Sequence, residues 1–283
     1  MRIWLLVVHV SPQAGETVFG DDFTVFPGGK GANQAVACAK LGANVRMVGC
    51  VGNDANGRFL LDNFLTQSVD IENVRVLNGI PSGVAPILIA ENDNMIVVVP
   101  GANGKVTCEI VDSVKEILLD SDIVLLQLEI PMATVEYSAA FCYKNHIPVI
   151  LNPTPAQQLS KKLIKNVAYI TPNEIEITQI FNDSFENVIS DYPNKVIMTA
   201  GSMGTYFHDG SSIVHIPAHK VEVLDTTGAG DTFNGALAFG ICEEMSLQNS
   251  IAFASKATSY SIKKLGAQSA MPTRIELEFE ESV

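Results

Sequence analysis

The sequence predicts an α/β sandwich: a central, mostly parallel sheet covered by helices, with a small β lid at one side. Three observations predict it. Apolar runs of strand length alternate with helix-length stretches through most of the chain. Two extended segments, 17–26 and 83–100, interrupt that alternation. Two glycine clusters, 27–34 and 225–233, each open a helix.

Taken in order, residues 17–26 read as extended, 44–51 (NVRMVGCV) as a buried strand and 56–66 as an amphipathic helix. Residues 83–90 and 95–100 are strands around Glu91-Asn92-Asp93-Asn94, a turn-forming run and so a hairpin signal. Strands follow at 123–129 (IVLLQLE), 148–152 (PVILN), 167–171 and 195–200 (KVIMTA). Helices are predicted over 132–145, from about 173, over 229–243 and over 246–263. The segments 10–26 and 83–100 lack helical partners. They are expected to form a β lid on a single domain spanning 1–283; the plainer alternative is an antiparallel edge of the main sheet. Lids of this kind shield a reaction from water.

Composition narrows the function classes. Among 283 residues, 31 are acidic and 18 basic, a net charge of −13, with 47% hydrophobic and 17% charged. Such a chain is too apolar to be disordered. It also lacks the Lys/Arg surplus that neutralises nucleic-acid phosphates. Its five cysteines (Cys38, Cys50, Cys108, Cys142, Cys242) are an odd, dispersed set with no CxxC pair, which fits a reducing cytoplasm better than a disulfide framework or zinc site. The N-terminal apolar run Ile3–Val8 follows Arg2 but is too short for a membrane span and short for a signal sequence. His9, His146, His208, His215 and His219 show no ligand spacing and read as structural or surface residues, and Glu276, Glu278, Glu280 and Glu281 as a solvated acidic tail.

The glycine clusters carry the chemistry. The first is Pro27-Gly28-Gly29-Lys30-Gly31-Ala32-Asn33-Gln34 and the second Asp225-Thr226-Thr227-Gly228-Ala229-Gly230-Asp231-Thr232-Phe233. Neither is a known phosphate loop. No stretch supplies GxxxxGK followed by Ser or Thr, and Gly101-Ala102-Asn103-Gly104-Lys105 runs into Val106 with the wrong spacing. The dinucleotide pattern GxGxxG fails because Phe233 and Gln34 stand where a third glycine belongs. Gly228, Ala229 and Gly230 can nevertheless present backbone N–H groups at a helix N-terminus, an anion site aided by the helix dipole. An Asp directly after such a site repels a simple anion. Asp231 makes chemical sense as a base that deprotonates a nucleophile attacking a phosphoryl group held there. The alternative is a residue that merely caps the helix.

These motifs resemble those of the ribokinase-like carbohydrate kinases. DTTGAGDTFNGAL (225–237) is similar to the family's C-terminal signature and PGGKGANQAVA (27–37) to its N-terminal one. VGNDANG (51–57), VVVPGAN (97–103), LLQLEIP (125–131), TPNEIE (171–176), TAGSMGTY (199–206) and LGAQSAMPTR (265–274) follow in the family's order, so the resemblance covers roughly 14–275. GGKGANQ, VVPGAN and GAQ are closest to the ribose-directed branch rather than to the fructokinase or adenosine kinase branches. The resemblance implies a three-layer sandwich and ATP-dependent phosphorylation of D-ribose at O5, giving ribose 5-phosphate. It also implies Mg²⁺, a monovalent cation (K⁺) and a homodimer paired through the lids. The rivals are a kinase for another furanose, such as deoxyribose or a nucleoside, and a non-catalytic sugar- or nucleotide-binding relative.

The resemblance also implies roles. Asp231 would be the general base, and Gly228, Ala229 and Gly230 the anion hole. Gly29, Lys30, Gly31 and Asn33 would form the sugar loop, with Asn33 bonding a hydroxyl pair and Glu129 accepting from another hydroxyl. Asn173 and Glu176, spaced i and i+3, would lie on the nucleotide side, with Glu176 organising Mg²⁺ through water. Gly201, Ser202, Met203, Gly204, Thr205 and Tyr206 would run past the nucleotide, and Ser255 would stand near the purine. Asp225 and the carbonyls of Thr227, Ser261, Lys264, Gly266 and Ala270 would ring the monovalent cation; Ala270 stands where the family often has Ser.

The N-terminus departs from the family. Its members open with a core strand, then an Asn-x-Asp loop whose Asp grips two sugar hydroxyls, then a lid strand leading to Gly-Glu-Thr. Here Gly15-Glu16-Thr17 is preceded by fourteen residues that contain no Asp, Glu or Asn. Counting back without gaps places Ile3 at the Asp position; with a gap, Ile3–Val8 replaces the core strand. Hydrogen bonds to a charged group contribute ~1.5–3 kcal/mol each. Losing two predicts ribose binding weakened by ~10²–10⁴.

Overall fold

The computed structural model describes residues 1–91 and 93–279. The strands are β1 (Arg2–Val7), β2 (Asp22–Pro27), β3 (Gly49–Gly52), β4 (Val74–Leu77), β5 (Val84–Ala90), β6 (Asp93–Ile96), β7 (Val124–Gln127), β8 (Val149–Asn152), β9 (Tyr169–Ile170), β10 (Ile197–Thr199), β11 (Thr205–His208) and β12 (Ile213–Ile216). The helices are α1 (Lys30–Lys40), α2 (Ala55–Thr66), α3 (Cys108–Ser113), α4 (Lys115–Leu119), α5 (Met132–Lys144), α6 (Lys161–Asn166), α7 (Glu174–Phe181), α8 (Phe185–Asp191), α9 (Ala229–Cys242), α10 (Leu247–Ser261) and α11 (Arg274–Phe279).

Strands β7, β8 and β9 pair in parallel, and single parallel bridges (Ile170 to Val196, Asn173 to Thr199) carry the sheet on to the antiparallel set β10-β11-β12. Alternation along β8 explains the three layers. Val149 and Leu151 join the core beneath α5, with Val135, Ala139 and Cys142. Ile150 faces the other way, into a core with Ile197, Phe207, Phe233, Leu237 and Ile251 under α9 and α10. Side chains two apart share a face, so a strand buried on both faces must be apolar throughout. The predicted strand over 44–51 is ordered only from Gly49, because Arg46 makes a single bridge to Asp70 and 47–48 make none.

A separate four-stranded sheet, ordered β2-β1-β5-β6, forms the lid. Its hairpin pairs Ile87 with Ile96 and Ala90 with Asp93. The sheet begins at Arg2, and residues 10–21 contribute no strand to it. Strand β1 lies antiparallel to β2 (Trp4 opposite Val25) and parallel to β5 (Trp4 opposite Pro86). The gapped alternative is therefore corrected: the Ile3–Val8 run is a lid strand and does not replace a core strand. The main sheet is divided beside it. Among the described residues β3 pairs with β4 alone and β7 with β8 alone.

The acidic tail also needs correction. Glu276 accepts from the Thr273 backbone (2.8 Å) and pairs with Lys264 (2.8 Å), and Glu278 pairs with Arg274 (2.9 Å). Glu276 thus ties α11 to Lys264, whereas the exposed Glu278 pairs within its own helix, and Glu280 and Glu281 lie outside the described residues.

Candidate active site

Helices α1 and α9 cross so closely that a Cβ on Gly235 would stand 2.5 Å from that of Ala37. This contact brings the two glycine clusters together. Gly228, at φ 77°, turns the chain into α9 and caps it without any side-chain hydrogen bond. That left-handed turn is open to glycine at little cost. Asp231 follows in the first helical turn, 6% exposed. Its Oδ2 accepts from Asn33 Nδ2 (2.8 Å) and its Oδ1 from Gln34 Nε2 (3.1 Å). The helix-cap reading of Asp231 thus fails, since its carboxylate reaches across to α1.

Burial raises the Asp231 pKa above the ordinary carboxylate value, and the Lys30 charge with the two amide hydrogen bonds opposes that rise. Both directions suit a base. Desolvation makes it a better proton acceptor, while the donors keep it ionised.

The sequence reading missed the network behind this carboxylate. Asn63 donates to Gln268 (2.8 Å), Gln268 to Asn33 (2.9 Å), and Asn33 to Asp231. A second branch runs from Gln127 (2.5 Å) through Gln34. Asn33 thus has one protein partner on each amide atom, which leaves a second N–H and a second lone pair for a ligand. The available signal was the unusual run of amides, Asn33-Gln34, on an otherwise apolar helix face.

Glu129 lies just past β7, at the carboxyl ends of the parallel strands. It is half-buried and accepts from the Lys30 backbone N–H (2.8 Å). Burial raises its pKa, against the Lys30 backbone hydrogen bond, the Lys30 charge and the Met1 amino group, while Asp231 adds to the rise. Gly29, at φ 97°, carries the chain over this carboxylate, with Gly31 one residue beyond Lys30. Ile3 lies beside them, since a Cβ on Gly28 would overlap its side chain. An apolar side chain therefore stands beside the loop at Gly28–Gly31.

A cleft of about 550 Å³ adjoins Asp231 on its other side. Asn173, Glu176, Gly201, Gly204, Thr205 and Ser255 of the expected nucleotide set line it, with Gly228, Ala229 and Gly230. Ser202, Met203 and Tyr206 are outside that lining, and the Tyr206 ring stacks on His215 at 4.4 Å. Thr199, Asn234 and Thr258 line the cleft unforeseen, and His219, an exposed residue as expected, stands at its margin. Asn173 caps α7 and exchanges hydrogen bonds with Glu176 in a capping box. Glu176 is 7% exposed, and its two oxygens accept from Thr154 (2.5 Å) and the Asn173 N–H (2.9 Å).

The cleft fits a nucleotide. A Cβ on Gly230 would meet nothing within 4 Å, so backbone borders open space there. The Ala229 N–H is committed to the Thr226 carbonyl (3.1 Å). Gly230 and Asp231 are the next first-turn donors, and helix geometry provides no carbonyl for such groups. Behind this turn Asp225 accepts from Thr227 N (2.8 Å) and Gly266 N (2.8 Å), tying it to the loop that carries Lys264 and Ala270. Burial alone would raise the Asp225 pKa; the hydrogen bonds from Thr227 and Gly266 outweigh it and hold the pKa below the ordinary value. Ser261 and Ala270 are buried at the same end.

A carboxylate able to take a proton, set in a helix turn able to hold a phosphoryl group, is the arrangement of a phosphotransferase acting on an alcohol. Comparison with known proteins makes the class specific. The chain belongs to the pfkB family of carbohydrate kinases, whose model matches residues 3–274. A ribokinase from Lactococcus lactis is 47% identical over 269 residues, spanning 94% of this chain and 89% of that protein. A solved ribokinase from Thermotoga maritima superimposes with a TM-score of 0.90 at 34% identity, covering 100% of this chain and 96% of that one. A ribokinase from Arabidopsis thaliana, solved with ribose and ATP, gives a TM-score of 0.90 at 30% identity over 98% and 95% of the two chains.

Proposed function

We propose that the chain phosphorylates D-ribose at O5 with ATP, giving ribose 5-phosphate. The observation that carries this reading is the junction of the two glycine clusters at Asp231, between a sugar-side carboxylate (Glu129) and the cleft lined by Glu176. Bound ATP with Mg²⁺ supplies the transferable phosphoryl group; Glu176 and Asn173 are the residues that would hold the ion through water. Gly29, Lys30, Gly31 and Glu129 orient the sugar. Asp231 takes the proton from its primary hydroxyl at Oδ1 or Oδ2. The first-turn N–H groups of α9 hold negative charge at the transferring group. Asp225 and the carbonyls of Thr227, Ser261, Lys264, Gly266 and Ala270 would hold K⁺ and so steady that turn.

The same reading includes slow turnover of ribose, because Ile3 supplies no hydroxyl acceptor. It includes a homodimer as well. Val97, Val98 and Val99 are exposed after the hairpin, and Phe19 is 99% exposed before β2, an apolar margin that a second lid would cover. A cytoplasmic location agrees with five free cysteines, and among the described residues no helix is long and apolar enough to cross a membrane.

ADP release coupled to a reporter, measured with ribose, deoxyribose, fructose and adenosine, tests the reading. Ribose should give the highest kcat/KM. Absence of sugar-dependent ADP release, or preference for adenosine, would refute it. A second reading, deoxyribose as the preferred sugar, is favoured by one observation: the apolar Ile3 at the sugar loop tolerates a missing hydroxyl.

A further inference from the structure

Strand β8 is apolar until its last residue. Val149, Ile150 and Leu151 are buried in the two cores, and Asn152 then ends the strand, 7% exposed. By strand alternation it shares the Ile150 face, which α9 and α10 cover. A buried amide at the end of a central strand is costly unless its donors and its acceptor are used. Here they are. Asn152 Nδ2 donates to the Thr171 carbonyl (3.3 Å) and the Thr154 hydroxyl (3.1 Å), and Asn152 Oδ1 accepts from Gln34 Nε2 (3.2 Å).

The direction of every bond in this network follows from one group. A backbone carbonyl only accepts, so the Thr171 oxygen fixes which end of the Asn152 amide carries the N–H groups. The Oδ1 end must then take an N–H from Gln34, and the other N–H of Gln34 goes to Asp231 Oδ1 (3.1 Å). On the far side the Thr154 oxygen already accepts from Asn152, so its single proton is left for Glu176 Oε1 (2.5 Å). The chain Asp231, Gln34, Asn152, Thr154, Glu176 is therefore continuous. It joins the proposed base to the carboxylate on the nucleotide side. Its anchor is also tied to the turn at the start of α9: the Thr171 hydroxyl donates to Asn234 Oδ1 (2.6 Å), and Asn234 Nδ2 donates to the Gly230 carbonyl (2.8 Å).

We propose that Asn152 is a positioning residue for phosphoryl transfer: it turns the Gln34 amide onto Asp231 and, through the Thr154 hydroxyl, holds Glu176 in place for the magnesium ion of the nucleotide. One amide thus sets the donors of two carboxylates, and the state of the base and the grip on Mg²⁺ share an origin. The inference rests on the reading of the cleft as a nucleotide site and is independent of the sugar that the enzyme uses.

Three variants test it. Asn152→Leu removes the amide at similar volume, Thr154→Val removes the hydroxyl alone, and Thr154→Ser restores it. Two quantities are read: the acid limb of kcat/KM for the preferred sugar, and the Kd of ADP by titration calorimetry, with Mg²⁺ and with a chelator. Lys30 and Glu129 also face Asp231, and their charges are common to all the proteins compared. Thr154→Val should weaken ADP binding in Mg²⁺ by about fivefold or more, change binding in chelator by less than about twofold and leave the acid limb in place. Thr154→Ser should bind as the unaltered chain does. Asn152→Leu should show the same loss in Mg²⁺ and also move the acid limb to higher pH by about half a unit or more, because the Gln34 amide is then free to turn away from Asp231.

Either quantity unmoved in Asn152→Leu overturns the proposal. So does an equal loss in Thr154→Val and Thr154→Ser, or an unaltered chain that binds ADP no tighter with Mg²⁺ than without. Should Asn152→Leu fail to fold, Asn152→Ser, shorter but still polar, carries the same two expectations. An unaltered chain that releases no ADP with any sugar refutes the kinase reading instead, and the calorimetric comparison, which needs no sugar, still decides the role of Asn152.

Discussion

Asn33 and Asp231, 198 positions apart, meet through a 2.8 Å hydrogen bond from Nδ2 to Oδ2. Asn33 is held in turn by Gln268, so three distant motifs of the sequence converge on one carboxylate. This convergence sets the first prediction. Asp231→Asn keeps the shape of the side chain and removes the proton acceptor. The purified protein should fold, and kcat for ribose should fall by ~10²–10⁴. A loss smaller than about tenfold would remove Asp231 from the role of base.

Gln34 should control the pH dependence. Its amide stabilises the ionised form of Asp231, whose pKa burial already raises. The base works only when deprotonated, so activity falls as pH drops through its pKa. Gln34→Leu withdraws one donor and raises that pKa further. The acid limb of kcat/KM should therefore move to higher pH by about one to two pH units, from a bond of ~1.5–3 kcal/mol at ~1.4 kcal/mol per unit. The rate on the alkaline plateau should change much less. An unmoved limb with a uniformly lower rate would mean that Gln34 only supports the fold.

Asp225 joins the turn before α9 to the loop at Gly266. If a monovalent cation sits among the neighbouring carbonyls, K⁺ should raise activity over a large organic cation, and Asp225→Ala should abolish the difference. Equal rates in Na⁺, K⁺ and organic cations for the unaltered chain would count against the site.

Ile3 crowds Gly28 at the edge of the loop proposed to bind the sugar. Ile3→Asp places an acceptor there, at the position the gapless count assigns to it. One hydrogen bond to a charged group is worth ~1.5 kcal/mol or more, so kcat/KM for ribose should rise by about tenfold. Glu129 and Asp231 nearby oppose the added charge, and Ile3→Asn is the neutral comparison. No gain from either variant would show that ribose is gripped without this position.

The sequence alone determined the sandwich class, the helices α2, α5, α9 and α10 and the two glycine turns. Each follows from a period, a cap or a glycine within a short window. It also singled out Asp231 as a candidate, because an acid after a glycine turn is legible locally. Tertiary structure decided the rest. The Ile3–Val8 run is equally apolar for a core or a lid strand, and only pairing with β2 and β5 assigned it to the lid. That Gln268, 235 positions away, donates to the Asn33 oxygen was set only by the fold. The burial of Glu176 and its bond from Thr154 were likewise set only by the fold. The pairing of β3 with β4 and of β7 with β8 was likewise visible only in three dimensions, because strand pairing and burial arise from contacts between segments that the local pattern does not specify.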